Sequence, residues 1–192
     1  MTWLIVGLLL LAAFGPIVWL IPSRAERRLA RMRTHARRIG LLVQLTPIRK
    51  RNASPSERVT PAGTPKTPTI LCAAYRLAFQ RPINHLPAWK ADRDAAGGGG
   101  PIEGWVWDVA PTGPEASSLS RVWHLLATLP ADALAVEATR LDVGCWWLER
   151  ATDTDAEKAV DSLLKVLGTV VEELTALNNL VEARIERART GD

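Results

Sequence analysis

The stretch ALAVEATRLDVGCWWLE, residues 133–149, decides how the chain is read. Two apolar runs, ALAVEAT (133–139) and DVGCWWLE (142–149), flank a short charged segment, and together they predict a β-hairpin. Side chains alternate along a strand, so Val143, Cys145 and Trp147 share one face while Gly144, Trp146 and Leu148 share the other. Both faces are apolar. A strand of that kind is central in its sheet or covered by a helix. The register of the first run stays open, because alanine-rich segments also favour helix.

Working outward, EGWVWDV (103–109) is a second strand, with Trp105, Trp107 and Val109 on one side and Val106 and Asp108 on the other. LCAAYRLA (71–78) reads as a strand with Cys72, Ala74 and Arg76 opposite Ala73, Tyr75 and Leu77, a short helix being the alternative. LLVQLT (41–46) is a further strand. A helix over 119–129 carries Val122, Leu125, Leu126 and Leu129 on one face and is closed by Pro130.

From 155 to 188 the pattern is that of one long helix, roughly 50 Å at 1.5 Å per residue. Val160, Leu167, Leu174 and Val181 recur every seven residues, and Leu163, Val170 and Leu177 fill the positions three further on. Strands of ordinary length cover only ~17–20 Å. The second half is therefore expected to project as a coiled-coil partner for another copy or another protein, or else to break near Gly168 and fold back. Leu174, Leu177, Val181 and Ile185 are the candidate partner-binding residues there. Trp105 and Trp146 are candidates on the strands, since aromatic side chains anchor interfaces.

At the other end, MTWLIVGLLLLAAFGPIVWLIPS (1–23) carries no charge before Arg24. The 19 residues from Trp3 to Ile21 make roughly 28 Å of helix, about one bilayer core. Trp3 and Trp19 sit near its ends, where indole rings prefer the membrane boundary. Arg24, Arg27, Arg28 and Arg31 follow at once, and arginine on one flank predicts that this side is cytoplasmic. The expectation is a single-pass protein of the bacterial inner membrane, N-terminus outside and C-terminal domain cytoplasmic. Ser23 and Glu26 form a capping box that opens the basic helix, Gly40 ends it, and Leu29, Met32, Ala36 and Ile39 give it a narrow apolar stripe.

The expected fold class is thus α+β: an N-terminal transmembrane helix (1–22), a basic amphipathic juxtamembrane helix with a short strand (23–46), a flexible Pro/Thr linker (47–69), a small domain with an antiparallel sheet (70–150) and a long C-terminal helix (151–192).

Composition bounds the function. The chain has 192 residues, 47% apolar and 23% charged, which excludes a wholly disordered or fibrous protein. Its net charge of +4 hides an asymmetry: residues 1–91 hold 15 basic and 2 acidic side chains, and residues 92–192 hold 9 and 18. The basic helix is expected to meet anionic lipid. Nucleic acid is not an expected partner, because no aromatic residues interleave the arginines and no reading motif is present. It becomes the first alternative if the apolar start does not sit in lipid. Cys72 and Cys145 read as small buried hydrophobes. No metal site is expected from His35, His85 and His124, which lie far apart, and no cofactor motif stands out, the GGGG at 97–100 lacking the Lys–Ser/Thr of a phosphate loop. Asp92, Asp94 and Asp108 could form paired acids, and a pocket joining Asp108, His124 and Cys145 would point to catalysis, but no catalytic residue is assigned.

The segments IPSRAERRLARMR, GLLVQL and ALAVEATRLDVGCWWLER resemble a group of uncharacterised bacterial single-pass membrane proteins. Residues 3–46 also resemble the YajC-type accessory subunit of the bacterial Sec translocon, which has one span and a basic cytoplasmic flank. That resemblance implies a preprotein translocase accessory role. The reading that follows is a non-enzymatic membrane scaffold using its cytoplasmic domain and C-terminal helix for protein contacts. The alternatives are the Sec accessory and, behind it, a membrane-tethered enzyme.

Overall fold

A computed structural model describes Trp3 and residues 23–94, 97–150 and 156–190. The order of elements is α1 (Arg24–Arg38), β1 (Leu42–Arg49), β2 (Thr69–Ala78), β3 (Trp89–Arg93), β4 (Trp105–Val109), α2 (Ser120–Leu126), β5 (Ala133–Ala138), β6 (Asp142–Trp147) and α3 (Ala156–Thr190). Short 3₁₀ turns occupy Pro55–Arg58 and Pro114–Leu119.

The strands form one six-stranded sheet in the order β1-β2-β6-β5-β3-β4, each neighbouring pair antiparallel. The hairpin at 133–149 supplies its centre. Thr139 turns the chain: its Oγ1 accepts from the backbone N–H of Leu141 and of Asp142, each at 3.1 Å. Val136 then faces Cys145, and Ala138 faces Val143. A bulge between Ala133 and Ala135 shifts the register near the start of β5.

The two faces of the sheet differ. Val43, Tyr75, Trp89, Val136, Val143 and Trp147 share one apolar cluster with Met32 and Ala36 of α1, Val122 and Leu126 of α2, and the inner side of α3. All three helices therefore cover this face. On the other face Ile48, Cys72, Ala74, Ala135 and Trp146 form a smaller cluster. The apolarity of both sides of β6 is accounted for by these two layers.

The chain between β1 and β2 forms a long arm. Lys50 N–H donates to the Pro68 carbonyl, Lys66 N–H to that of Arg58, and Thr60 N–H to that of Thr64. Beyond the arm's base, Arg51 donates through Nε to Asp92 on β3 at 2.6 Å.

The expected transmembrane helix requires correction. No helix among the described residues is long and apolar enough to cross a membrane. The stretch on which that expectation fell, 1–22, lies outside the described residues apart from Trp3, whose side chain is exposed, and Trp19 lies outside with it. The first helix described after it, α1, has a physical use for its apolar stripe that needs no lipid: Met32 and Ala36 are buried in the domain's own core. This overturns the single-pass inner-membrane placement with an outward N-terminus, the lipid contact assigned to Arg24, Arg27, Arg28 and Arg31, and the membrane-scaffold function built on them.

The projecting coiled coil is corrected as well. α3 runs unbroken through Gly168, and Val160, Leu163, Leu167, Val170, Leu174 and Val181 are buried in the core it shares with α1, α2 and the sheet. Leu177 and Ile185 pack against the same core. The seven-residue stripe expected to seek a partner is thus already covered.

Candidate functional site

Two regions combine charge with defined geometry. The first is α1. The Ser23 Oγ accepts from Glu26 N–H at 3.2 Å, and the Glu26 carboxylate accepts from Ser23 N–H at 2.6 Å, so two of the free donors at the helix start are satisfied. These bonds hold the Glu26 carboxyl below its ordinary value. At the far end Leu41 N–H reaches back to the Ala36 carbonyl while Gly40 takes a φ of 95°, the left-handed exit that glycine permits.

A buried polar cluster fixes α1 to the sheet. Glu149, just past β6, is 3% exposed. Its carboxylate accepts from Arg33 Nε at 2.9 Å, from the second Arg33 donor, and from the Tyr75 hydroxyl at 2.5 Å. Its carbonyl accepts from Arg28 at 2.8 Å. Glu149 itself takes a φ of 57°, unusual for a residue with a Cβ. The Glu149 hydrogen bond raises the Arg33 guanidinium above its ordinary value, and burial, then the bond to Glu149, push the Tyr75 phenol up. His35 Nε2 lies 2.7 Å from Asp161 Oδ1 of α3. With one side of the helix used in this way, Arg24, Arg27, Arg31 and Arg38 are exposed, at spacings that place them along one outer face.

The second region is the open face of the sheet. Arg51 bridges Asp92 and Asp108 at 2.6 and 3.2 Å. Lys90 donates to Asp108 at 2.7 Å and lies 3.7 Å from Asp92 Oδ1. The Lys90 bond is the main reason the Asp108 carboxyl sits below its ordinary value. Arg76 pairs with Asp142 and Glu137 at 2.7 and 2.9 Å. Between these groups lies Trp146, with Arg76 5.1 Å and Lys90 5.7 Å from its ring centroid, both within cation–π range. A cavity of about 140 Å³ opens where the base of the arm passes Ile48, Ile70, Leu134, Asp92 and Arg93. A larger groove of about 860 Å³ lies between residues 80–85 and α3, where buried Asn178 accepts from the backbone N–H of Asn84 and His85, each at 3.0 Å.

The sequence-predicted residues fall as follows. Asp92 and Asp108 do come together, on shared cations, whereas Asp94 lies beyond β3 with its N–H bonded to the Gly104 carbonyl. Asp108, His124 and Cys145 line no common pocket described here: Cys145 is fully buried in the helix-side core, and Asp108 belongs to the opposite charge cluster. Burial pushes the Cys145 thiol up to about 12 and the Cys72 thiol up to about 11, and both are free. Among the described residues no group of three or more His, Cys, Asp and Glu side chains is placed to hold a metal ion. Of the candidate partner-binding residues, Trp105, Leu174 and Val181 are buried in the helix-side core and Trp146 in the open-face cluster. The Glu149 cluster and the cavity were missed. Their members lie far apart along the chain, and no local spacing marks them.

No family model, curated protein or solved structure matches this chain. The resemblance to the YajC-type translocon subunit and to single-pass membrane proteins is therefore withdrawn, and the Sec-accessory function with it. The quoted segments have a structural account instead: capping and core packing in α1, β1 and the β5–β6 hairpin.

Proposed function

We propose that the domain is a binding module, not an enzyme, and that it holds the phosphate backbone of a nucleic acid on the outer face of α1. The observation that supports this is the exposed row of Arg24, Arg27, Arg31 and Arg38 on a helix whose other side is anchored by Met32, Ala36 and the Arg33–Glu149 pair. From Arg24 to Arg38 the helix rises about 21 Å. A duplex presents a negative charge every ~1.7 Å of its axis, so about twelve phosphates fall within that length. Guanidinium groups suit this partner because their forked donors match phosphate oxygens. The remaining side chains of the face, such as Thr34, offer little to read base edges, so the binding is expected to be indifferent to sequence.

The non-catalytic part of the reading is supported by how the reactive groups are spent. Asp92 and Asp108 are held in ion pairs, and both thiols are buried with raised values. Titrating the full chain into a labelled duplex of arbitrary sequence tests the reading. Salt-sensitive binding that is lost when the four arginines become glutamine is the expected result. Preference for an acidic protein or for anionic vesicles over DNA would overturn it.

A further inference from the structure

We propose that the groove between residues 80–85 and α3 binds an extended peptide segment that carries basic side chains. The starting observation is Asn178. The residue is only 7% exposed, and its Oδ1 accepts from the backbone N–H of Asn84 and of His85, each at 3.0 Å. Only the oxygen of a carboxamide can accept, so these two bonds fix which way the amide points. Its Nδ2 donates to no group among the described residues, yet it is not sealed in the core, and Asn178 lines the groove. A nearly buried amide that spends its acceptor on the fold and keeps its donors for the groove calls for a carbonyl there.

The rest of the lining says which carbonyl. Gln80, Asn84 and Asn179 add three more carboxamides. Each carries an acceptor and an NH2 donor, the pairing that a peptide unit complements. Pro82 and Val171 supply apolar surface in the same lining. The α3 wall also carries Glu172 and Glu182, both exposed. Ion pairs along a helix form at spacings of three and four, and those positions around Glu172 and Glu182 hold no Lys or Arg. Among the described residues no cation from another element pairs with either carboxylate. On the opposite wall Arg81 is the one guanidinium, so the α3 side of the groove is left negative. Ten residues of helix set the two carboxylates about 15 Å apart. In an extended chain at ~3.4 Å per residue, side chains at i and i+4 lie on one side, about 14 Å apart. Lysines at those positions meet both carboxylates while the backbone between them passes Asn178. The groove volume of about 860 Å³ falls within the ~300–1,000 Å³ of ligand sites.

The experiment titrates the full chain with the capped peptide Lys-Ala-Ser-Ala-Lys, its counterpart Glu-Ala-Ser-Ala-Glu, and spermine, a polycation without carbonyl groups. Calorimetry reads affinity, and heteronuclear NMR reads the Asn178 side-chain NH2 resonance. The lysine peptide is expected to bind and to shift that resonance, and the glutamate peptide to bind at least about tenfold more weakly. Glu172→Gln and Glu182→Gln, both at exposed positions, should each weaken the lysine peptide by up to about fivefold, the most an exposed ion pair supplies, without lowering the melting temperature. Spermine that bound as tightly as the lysine peptide would reduce the groove to a cation surface and overturn the proposal. Equal binding of the two peptides would remove the role of the carboxylates, and an unmoved Asn178 resonance would place the peptide elsewhere. Each of these overturns it, as does the absence of binding by the lysine peptide at millimolar concentration.

Discussion

If α1 holds a phosphate backbone, its four exposed arginines set a measurable salt dependence. Neutralising Z phosphates of duplex DNA releases counterions, and log K falls against log salt with a slope of about −0.9Z. With Arg24, Arg27, Arg31 and Arg38 engaged, Z is at most four, and the slope about −3.6. Raising salt from 50 to 200 mM then weakens binding about 150-fold. Each single Arg→Gln change should flatten the slope by about 0.9, whichever arginine is chosen, and the quadruple variant should bring it near zero. Glutamine keeps the helix propensity and leaves the buried side of α1 untouched, so melting temperature should not change by more than a degree or two. Arg140, exposed on the β5–β6 turn away from α1, is the control, and Arg140→Gln should leave the slope where it was. Fluorescence anisotropy of a labelled duplex over a series of salt concentrations reads all of these. A slope shallower than about −1 for the unmodified chain would refute the reasoning, as would a quadruple variant that kept its slope.

Three other predictions concern the fold that carries this face. Glu149→Gln leaves the Arg33 cation without its carboxylate, and breaking such a pair costs about 3–5 kcal/mol when fully buried. Arg33 is 23% exposed, so about 2–3 kcal/mol is expected from urea denaturation, and a loss below about 1 kcal/mol would show that the pair contributes little. Alkaline pH should destabilise the domain. The Tyr75 phenol is raised above 10.0 and the Cys145 thiol from 9.0 to about 12, both by burial, so the unfolded chain loses these protons first. Stability from these groups is intact below pH 9 and falls above it, by up to about 1.4 kcal/mol per pH unit for each titrating group, until the folded values are reached. A flat profile from pH 8 to 11 in denaturation experiments would contradict this. Asn178→Ala removes the acceptor for two part-buried backbone donors, so amide exchange at Asn84 and His85 should accelerate and stability should drop by about 1 kcal/mol. Unchanged exchange at both would show that the segment is held by other contacts.

What the sequence reveals and what it conceals follow from the range of the forces involved. The capping box at Ser23 and Glu26 is readable because its partners are three residues apart and its bonds form within one turn. The two-sided strand at 142–147 is readable because alternation is a local property, and its two apolar layers are both present. The α3 stripe is visible too, but a stripe states only that it will be buried, not by what. Burial in the domain's own core and burial against another chain draw on the same residues, and here α1, α2 and the sheet together take them as far as Ile185. The cavity and the Glu149 cluster lie outside such reasoning. Arg51 meets Asp92 across 41 residues, and Arg33 meets Glu149 across 116. Asp92 and Asp108 gain meaning only once β3 and β4 pair and set both beside Lys90 and Arg51. No spacing rule encodes a contact that depends on strand order.

The two faces of the sheet treat charge unequally. The helix-side face buries apolar side chains against three helices and excludes water with little polar content. The open face has a small apolar cluster and must therefore bring charged stems over it, as Arg76 and Lys90 do over Trp146. Moving such groups partly out of water is costly unless each is matched. Most are: Arg76 has Glu137 and Asp142, Lys90 has Asp108, and Arg51 bridges Asp92 and Asp108. Against that background Asp92 Oδ1, buried without a hydrogen-bond partner, is the exception on this face, while Arg93, next along β3, turns to the helix side and stacks on Trp105.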